Sequence, residues 1–143
     1  IYSGFYGLMF LTLISLFTSL FVPHNFYHNI LIHGFGFIYF FLSNFKQKNV
    51  IYYKHIIFIT IFFISVLLIS KTHDDFSFYH YPFTKFLTEN HIIFGMGHLN
   101  VGYNFLSSLF FLNSTFYLPF IELYSFHFSA LFFLIFFNYF FLN

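Results

Sequence analysis

Residues 1–22 read IYSGFYGLMFLTLISLFTSLFV, a run that contains no charged residue. About 20 such residues are enough to cross the hydrocarbon core of a bilayer as an α-helix. The rest of the chain has the same character, with 59% hydrophobic and only 6% charged residues, whereas soluble domains carry about 25% charged residues. The first run therefore predicts a transmembrane helix, and the composition places the chain in the membrane class.

Three more apolar runs are long enough to predict spans, at residues 30–45, 50–70 and 121–143. Residues 105–119 form an apolar run of 15 residues, which predicts either a short span or a re-entrant helix. The predicted fold is an all-α, polytopic transmembrane helix bundle. Because the sequence starts at an isoleucine and stops inside an apolar run, we expect residues 1–143 to be a fragment of a single polytopic membrane domain.

Polar chemistry is concentrated in one predicted extramembrane loop, residues 71–104. The stretch His73–Asn100 within it holds three of the four acidic residues and four of the nine histidines. Four apolar residues in this loop recur at helical spacing, with a proline at the first turn. This pattern predicts an amphipathic helix lying along the membrane interface. Its apolar face consists of Tyr79, Phe83, Phe86 and Leu87.

Lysines indicate the side of the membrane on which this loop lies. Lys46, Lys48 and Lys54 flank the turn between the second and third predicted spans. Lysine-rich turns favour the cytoplasmic side, so the loop 71–104 is predicted to be extracytoplasmic. The formal net charge of +1 provides no electrostatic footprint for nucleic acid, so no nucleic-acid partner is expected.

Two adjacent carboxylates, Asp74 and Asp75, follow the third predicted span. Partial desolvation raises the pKa of a carboxylate toward neutrality, and such a group can act as a general base. The alternative interpretation is that both aspartates are solvated and begin the next helix as N-cap groups.

The histidines and the capping residues of the loop support two weaker hypotheses. His73, His80, His91 and His98 fit no standard zinc spacing, so we assign no metal ligand and leave only a divalent metal ion open as a cofactor. Capping of a returning helix is predicted for Asn100, Asn104, Ser107 and Ser108. The terminal N–H groups of such a helix suit an anion such as a lipid phosphate, and ordinary capping is the alternative.

The order of these elements resembles a group of uncharacterised bacterial multispanning membrane proteins. Their pattern is an aspartate, three residues and Tyr-His, then an amphipathic stretch, a Gly-x-Gly-Asn element, a Phe-Asn-Ser-Ser-like element and a further span. Asp75, Tyr79 and His80 match the first part of the pattern. Gly95, Gly97 and Asn100 match the Gly-x-Gly-Asn element approximately, with His98 at a position where asparagine is usual. The Phe-Asn-Ser-Ser-like element is matched by Asn104, Ser107 and Ser108, with the asparagine displaced.

That group is in turn similar to the GT-C class of membrane glycosyltransferases. The likeness implies an extracytoplasmic enzyme of the bacterial inner membrane that moves a sugar from a polyprenyl-phosphate donor to a glycan or lipid acceptor. It implies that Asp75 activates or orients the acceptor hydroxyl, with Asp74 as its neighbour or as a metal-facing partner. It also implies a substrate-binding set composed of Tyr79, His80, His98, Asn100 and Asn104.

Two other functions remain open from the sequence. A transporter or flippase component for polar or lipid-linked substrates would use polar residues inside its spans, for which His33, His55 and His127 are the candidates. A structural subunit of a membrane complex would instead have a fixed protein partner and would not depend on Asp75.

Overall fold

The computed structural model describes residues 2–44, 57–65, 74–104 and 107–142, and every regular element in these ranges is helical. The helices are α1 (Tyr2–Ser19), α2 (Phe26–Asn44), α3 (which includes residues 57–65), α4 (Tyr81–Glu89), α5 (Ser108–Thr115) and α6 (Phe128–Leu142). A π-helical turn (Phe76–His80) precedes α4, and 3-10 turns occupy Met96–His98, Val101–Asn104 and Glu122–His127. The all-α part of the prediction is therefore confirmed for the described residues.

The predicted transmembrane bundle is wrong, because among the described residues no helix combines the length and the hydropathy that a bilayer crossing requires. Helix α1 has 18 residues and is about 27 Å long, and α6 has 15 residues and is about 22 Å long, against a hydrocarbon core of about 30 Å. Helix α2 is longer, with 19 residues, but its polar residues, among them the buried Asn29, lower its hydropathy.

The same finding overturns the integral-membrane location and, with it, the inner-membrane placement of the loop 71–104. The predicted short span at 105–119 contains instead the eight-residue helix α5, and the predicted span at 121–143 begins with a 3-10 turn. Most of the predicted span 50–70, and the lysines used to orient it, Lys46, Lys48 and Lys54, lie outside the described residues.

Helix α5 occupies the centre of the fold, although it is short. Ser107 caps its first turn, since the Ser107 hydroxyl accepts a hydrogen bond from the Leu109 N–H at 3.3 Å. Helices α1, α4 and α6 all pack against α5. Its residues Phe110, Phe111 and Leu112 are all buried, which explains why an uncharged segment of this length is stable as a helix.

Helix α4 is present where the sequence predicts an amphipathic helix, but its apolar face has a different environment. Pro82 lies in its first turn, a position where the missing N–H costs nothing. Phe83 and Leu87 are each 1% exposed and belong to a core cluster with Met96, Phe110 and Phe111. The helix is therefore held by protein packing, and the predicted interfacial position is wrong.

The connection between α1 and α2 is a tight corner at Pro23. The N–H groups of Phe21 and Val22 close a turn on the Thr18 carbonyl. Asn25 then caps α2, because its side-chain oxygen accepts a hydrogen bond from the His28 N–H at 3.0 Å. The His24 N–H donates to the Leu87 carbonyl at 2.8 Å, which ties the corner to α4.

Candidate functional site

The two aspartates of the predicted site lie at the start of the π-helical turn. Asp74 is exposed and Asp75 is half-buried. Asp75 occupies the N-cap position with helical backbone angles, φ −70° and ψ −11°, and its side chain makes no capping hydrogen bond. The N-cap interpretation is therefore correct for the position of Asp75 but not for its side chain.

Tyr79 and His80 follow within one turn, and their rings pack into the interior. The Tyr79 and His80 ring centroids lie 4.3 Å apart, edge to face, and the His80 ring lies 5.0 Å from that of Phe110. Gly102 lies directly below Tyr79, since a Cβ at Gly102 would lie only 2.6 Å from Tyr79 Cγ. Tyr79 and His80 thus have positions fixed by packing.

Asn100 connects the two parts of the predicted motif. Its side-chain oxygen accepts a hydrogen bond from the Gly102 N–H at 2.9 Å, and its amide group points at the Phe78 carbonyl at 3.5 Å. The structure therefore brings the segment 76–80 against the segment 100–102, as a common site requires. Asn100 acts here as a connector of backbone segments.

His98 and Asn104 lie apart from that contact, on a groove of about 400 Å³. Phe83, Met96 and Tyr103 form its apolar lining, Ile93 stands at its rim, and His98 and Asn104 supply side-chain polar atoms. The Asn104 amide lies so close to Gly97 that a Cβ at Gly97 would collide with it. Only the absence of a side chain at Gly97 allows this approach.

A metal centre finds no support in the part of the chain that the structure describes. No three histidine, aspartate or glutamate side chains there come close enough to share an ion. His73, one of the four loop histidines, lies outside the described residues.

A buried polar network at the α1–α2 corner is a feature that the sequence interpretation missed. His24, which is fully buried, lies with Nδ1 2.6 Å from Ser114 Oγ and Nε2 3.0 Å from Thr18 Oγ1. Since the Ser114 hydroxyl donates to the Phe111 carbonyl at 2.8 Å, we assign the Nδ1–H of His24 as the donor to Ser114. Nε2 is then the acceptor that faces the Thr18 hydroxyl, which also lies 3.3 Å from the Ser15 carbonyl.

Asn29 extends this network to the end of α5. Its amide nitrogen donates to the carbonyls of His24 at 3.0 Å and Ser114 at 2.9 Å. One turn further along α2, His33 Nε2 lies 2.8 Å from the Thr115 carbonyl. The network thus joins α1, α2 and α5 through groups distant in sequence.

Burial controls the protonation of these histidines. Desolvation, and secondarily the charge of nearby His28, lowers the pKa of His24 to about 3, although the Ser15 carbonyl acts in the opposite direction. Desolvation likewise lowers the pKa of His33, against an opposing contribution from the Thr115 carbonyl. Both imidazoles are neutral at pH 7, in agreement with their roles in a network of neutral hydrogen bonds.

The short distance between Ser114 and His24 resembles that of a nucleophile and its base. However, both residues are 0% exposed, so a substrate cannot reach the Ser114 hydroxyl. The network therefore stabilises the fold.

The transporter candidates His33 and His127 are packed on aromatic rings, Phe116 at 4.9 Å and Phe76 at 5.7 Å. The third candidate, His55, lies outside the described residues. The transporter hypothesis stays a prediction.

The sequence contained a sign of buried polar groups in α1, but it did not show which residues those groups would meet. Ser15 and Ser19 stand one turn apart in the apolar helix α1, which indicates a polar strip on a helix face. Both are buried, and their hydroxyls donate to the carbonyls of Leu11 and Leu16.

The outer faces of α1 and α2 carry apolar side chains in helical register. We call these faces the α1 stripe and the α2 stripe. Residues of the α1 stripe are 64–66% exposed, and those of the α2 stripe are 58–77% exposed. The α1 stripe consists of Tyr6, Met9, Phe10, Leu13 and Phe17, and the α2 stripe consists of Tyr27, Leu31, Phe35, Ile38 and Leu42. Contiguous apolar surface of this kind marks an interaction site.

Comparison with known proteins identifies one family. The model of a family described as "Domain of unknown function (DUF8201)" matches residues 1–143. No curated protein matches the chain, and no solved structure matches it.

Proposed function

The chain belongs to the DUF8201 family, and we propose that it is an interaction subunit whose α1 and α2 stripes are covered by apolar helices of a partner protein. The observation that carries this proposal is the exposure of ten large apolar side chains in two helical stripes. Neither α1 nor α2 contains a charged residue. A monomeric surface rarely leaves so much contiguous apolar area in contact with water.

The spacing of the stripes favours a helical occupant. Residues at intervals of three and four form ridges, and such ridges pack into the grooves of another helix. Gly7 lies beside the α1 stripe with open space at its Cβ position, so a partner backbone can approach closely there. The absence of charge in both helices matches a neutral, apolar partner surface.

The buried network supports the proposal by fixing the two stripes relative to each other. His24 and Asn29 hold the α1–α2 corner on Ser114. A preformed surface loses less conformational entropy when a partner binds.

Site-specific photocrosslinking tests the proposal. Benzoylphenylalanine would replace Phe10 on the α1 stripe in cells that naturally carry the chain, and Phe120 would serve as the matched control. Phe120 is an aromatic residue that is 74% exposed outside both stripes. We expect a discrete adduct from position 10 that maps to an apolar helix of one protein and disappears with Leu13→Glu. Adducts of equal yield from both positions, or none from position 10, would contradict the proposal.

A second candidate function is sugar transfer from a polyprenyl-phosphate donor to a glycan or lipid acceptor. It rests on the resemblance to the GT-C class and is favoured by the contact between segments 76–80 and 100–102. In this proposal Asp75 deprotonates or orients the acceptor hydroxyl, with Asp74 beside it. Tyr79 and His80 hold the segment in place by packing on Gly102 and Phe110.

Two matched variants test the second candidate. Asp75→Asn should abolish incorporation of labelled sugar from the polyprenyl-phosphate donor into cellular glycans and lipids, at an unchanged protein level. Glu122→Gln, which removes an exposed carboxylate outside both segments, should retain most of it. Undiminished incorporation with Asp75→Asn would remove the catalytic role of Asp75.

A further inference from the structure

The groove beside α4 has the properties of a ligand site that neither proposed function uses. Its volume is about 400 Å³, within the range of about 300–1,000 Å³ that small-molecule sites occupy. Its deepest residues, Phe83 and Met96, are 1% and 8% exposed and belong to the core cluster around α5. The floor of the groove is therefore preformed.

The polar atoms of the groove come from its two predicted substrate-binding residues. The amide of Asn104 is seated over the backbone of Gly97, and the exposed imidazole of His98 follows directly in the chain. An amide offers both a donor and an acceptor, and an imidazole can hydrogen-bond through either ring nitrogen. Together these groups suit a hydroxyl or a carbonyl.

The groove lacks charge among the lining residues that the structure describes. No lysine, arginine, aspartate or glutamate belongs to that lining. An anionic head group would lose hydration there with no lysine or arginine to pair with, which is costly. The rim adds two exposed apolar side chains, Ile93 and Phe94.

From these observations we propose that the groove binds a neutral amphiphile, with its apolar chain on Phe83, Met96 and Tyr103 and its uncharged head at Asn104 and His98. The proposal is independent of the stripes, because the groove is lined mainly by the loop between α4 and α5 and by no residue of either stripe. It is also independent of sugar transfer, because its ligand carries no phosphate.

The two methionines of the chain make a clean experiment available. Met96 lines the groove, whereas Met9 lies on the α1 stripe. Carbon-13 labelling of the methionine methyl groups gives one NMR signal for each surface, and Met9→Leu and Met96→Leu assign them. The purified protein would be titrated with 1-decanol, decane and decyl phosphate, all below their aggregation concentrations.

We expect decanol to shift the Met96 signal saturably while Met9 stays unchanged, and decyl phosphate to bind at least about tenfold more weakly, since its charge is not neutralised. Asn104→Leu should weaken decanol binding about three- to tenfold through loss of a hydrogen bond, and leave decane binding unchanged. Gly97→Ala, which displaces the Asn104 amide, should have the same selective effect.

Three outcomes would overturn the proposal. A response of Met9 alone would place the amphiphile on the stripe. Equal affinity for decanol and decyl phosphate would refute a site for neutral heads. Unchanged decanol affinity with Asn104→Leu would refute the assignment of the head group.

Discussion

His24 Nδ1 lies 2.6 Å from Ser114 Oγ, across 90 positions of sequence. This contact connects the corner between the first two helices to the central helix α5. Because both side chains are completely buried, neither can exchange its partner for water. The contact therefore fixes the relative positions of α1, α2 and α5 more strictly than apolar packing alone.

Removing the Ser114 hydroxyl should destabilise the protein clearly. Ser114→Ala leaves the Nδ1–H of His24 buried without its acceptor, and we expect a loss of about 1–3 kcal/mol in the free energy of unfolding. Urea unfolding followed by circular dichroism measures this loss. Ser108→Ala, at an exposed position of the same helix, should change it by less than about 0.5 kcal/mol. Equal effects of the two substitutions would show that the buried contact contributes little.

Acid should destabilise the fold through His24. Its pKa is lowered from 6.5 to about 3 in the folded chain, so protons bind the unfolded chain more tightly. The contribution of neutral His24 is complete above about pH 6.5 and is lost at about 1.4 kcal/mol per pH unit as the pH falls toward about 3. His33 acts in the same direction.

Unfolding free energies measured at pH 7.5, 6, 5 and 4 test this dependence. His24→Gln keeps a polar side chain but cannot titrate, so its free energy of unfolding should decline less steeply below pH 6.5. Parallel declines for both proteins would assign the acid sensitivity to other groups.

Two glycines should respond oppositely to alanine. A Cβ at Gly102 meets Tyr79 Cγ at 2.6 Å and Tyr79 Cβ at 2.7 Å. Tyr79 Cβ is fixed by the backbone and does not move when the side chain rotates, so Gly102→Ala should cost about 1–3 kcal/mol. At Gly7, in α1, a Cβ meets nothing within 4 Å, and Gly7→Ala should stabilise the chain by about 0.5–1 kcal/mol. Thermal unfolding of both variants measures the two changes in stability. An unchanged stability of Gly102→Ala would show that Tyr79 can move to make room for the Cβ.

Two phenylalanine substitutions, one in the core and one on the α1 stripe, should differ strongly in their effect on the free energy of unfolding. Phe110 is 7% exposed and Phe10 is 65% exposed. Phe110→Ala should cost about 3–5 kcal/mol in the free energy of unfolding, whereas Phe10→Ala should change it by less than about 0.5 kcal/mol. A large loss with Phe10→Ala would mean that the α1 stripe already packs within the chain.

The sequence predicts where individual helices form better than it predicts what surrounds them. Helix α4 follows directly from the spacing of Phe83, Phe86 and Leu87 and from Pro82, because helical periodicity is a local property. The spans fail because hydropathy counts apolar residues but does not detect where helices end. At the ends of α1 and α5 the last carbonyls meet other segments, since the Ser19 carbonyl accepts from the Ile92 N–H and the Thr115 carbonyl lies 2.8 Å from His33 Nε2.

The candidate sites divide in the same way. The contact between Tyr79 and Gly102 joins two segments that the sequence already singled out, although their packing required the structure. The His24 network could not be predicted, because His24 and Ser114 form a pair only after α1 and α5 meet. The groove at His98 and Asn104 likewise depends on the packing of Phe83 in the protein core, whereas the sequence predicted that Phe83 faces the membrane interface.

The position of α1 has a consequence for biosynthesis. This helix is synthesised well before α5 and α6, the helices on which it packs. Phe5 of α1, for example, packs on the sequence-distant Phe133 of α6, with the ring centroids 5.6 Å apart. Contacts so far apart in sequence form slowly and late. Until α5 and α6 have been synthesised, Ser15, Ser19 and the α1 stripe are all uncovered, and transiently exposed apolar surface of this kind makes a chain prone to aggregation.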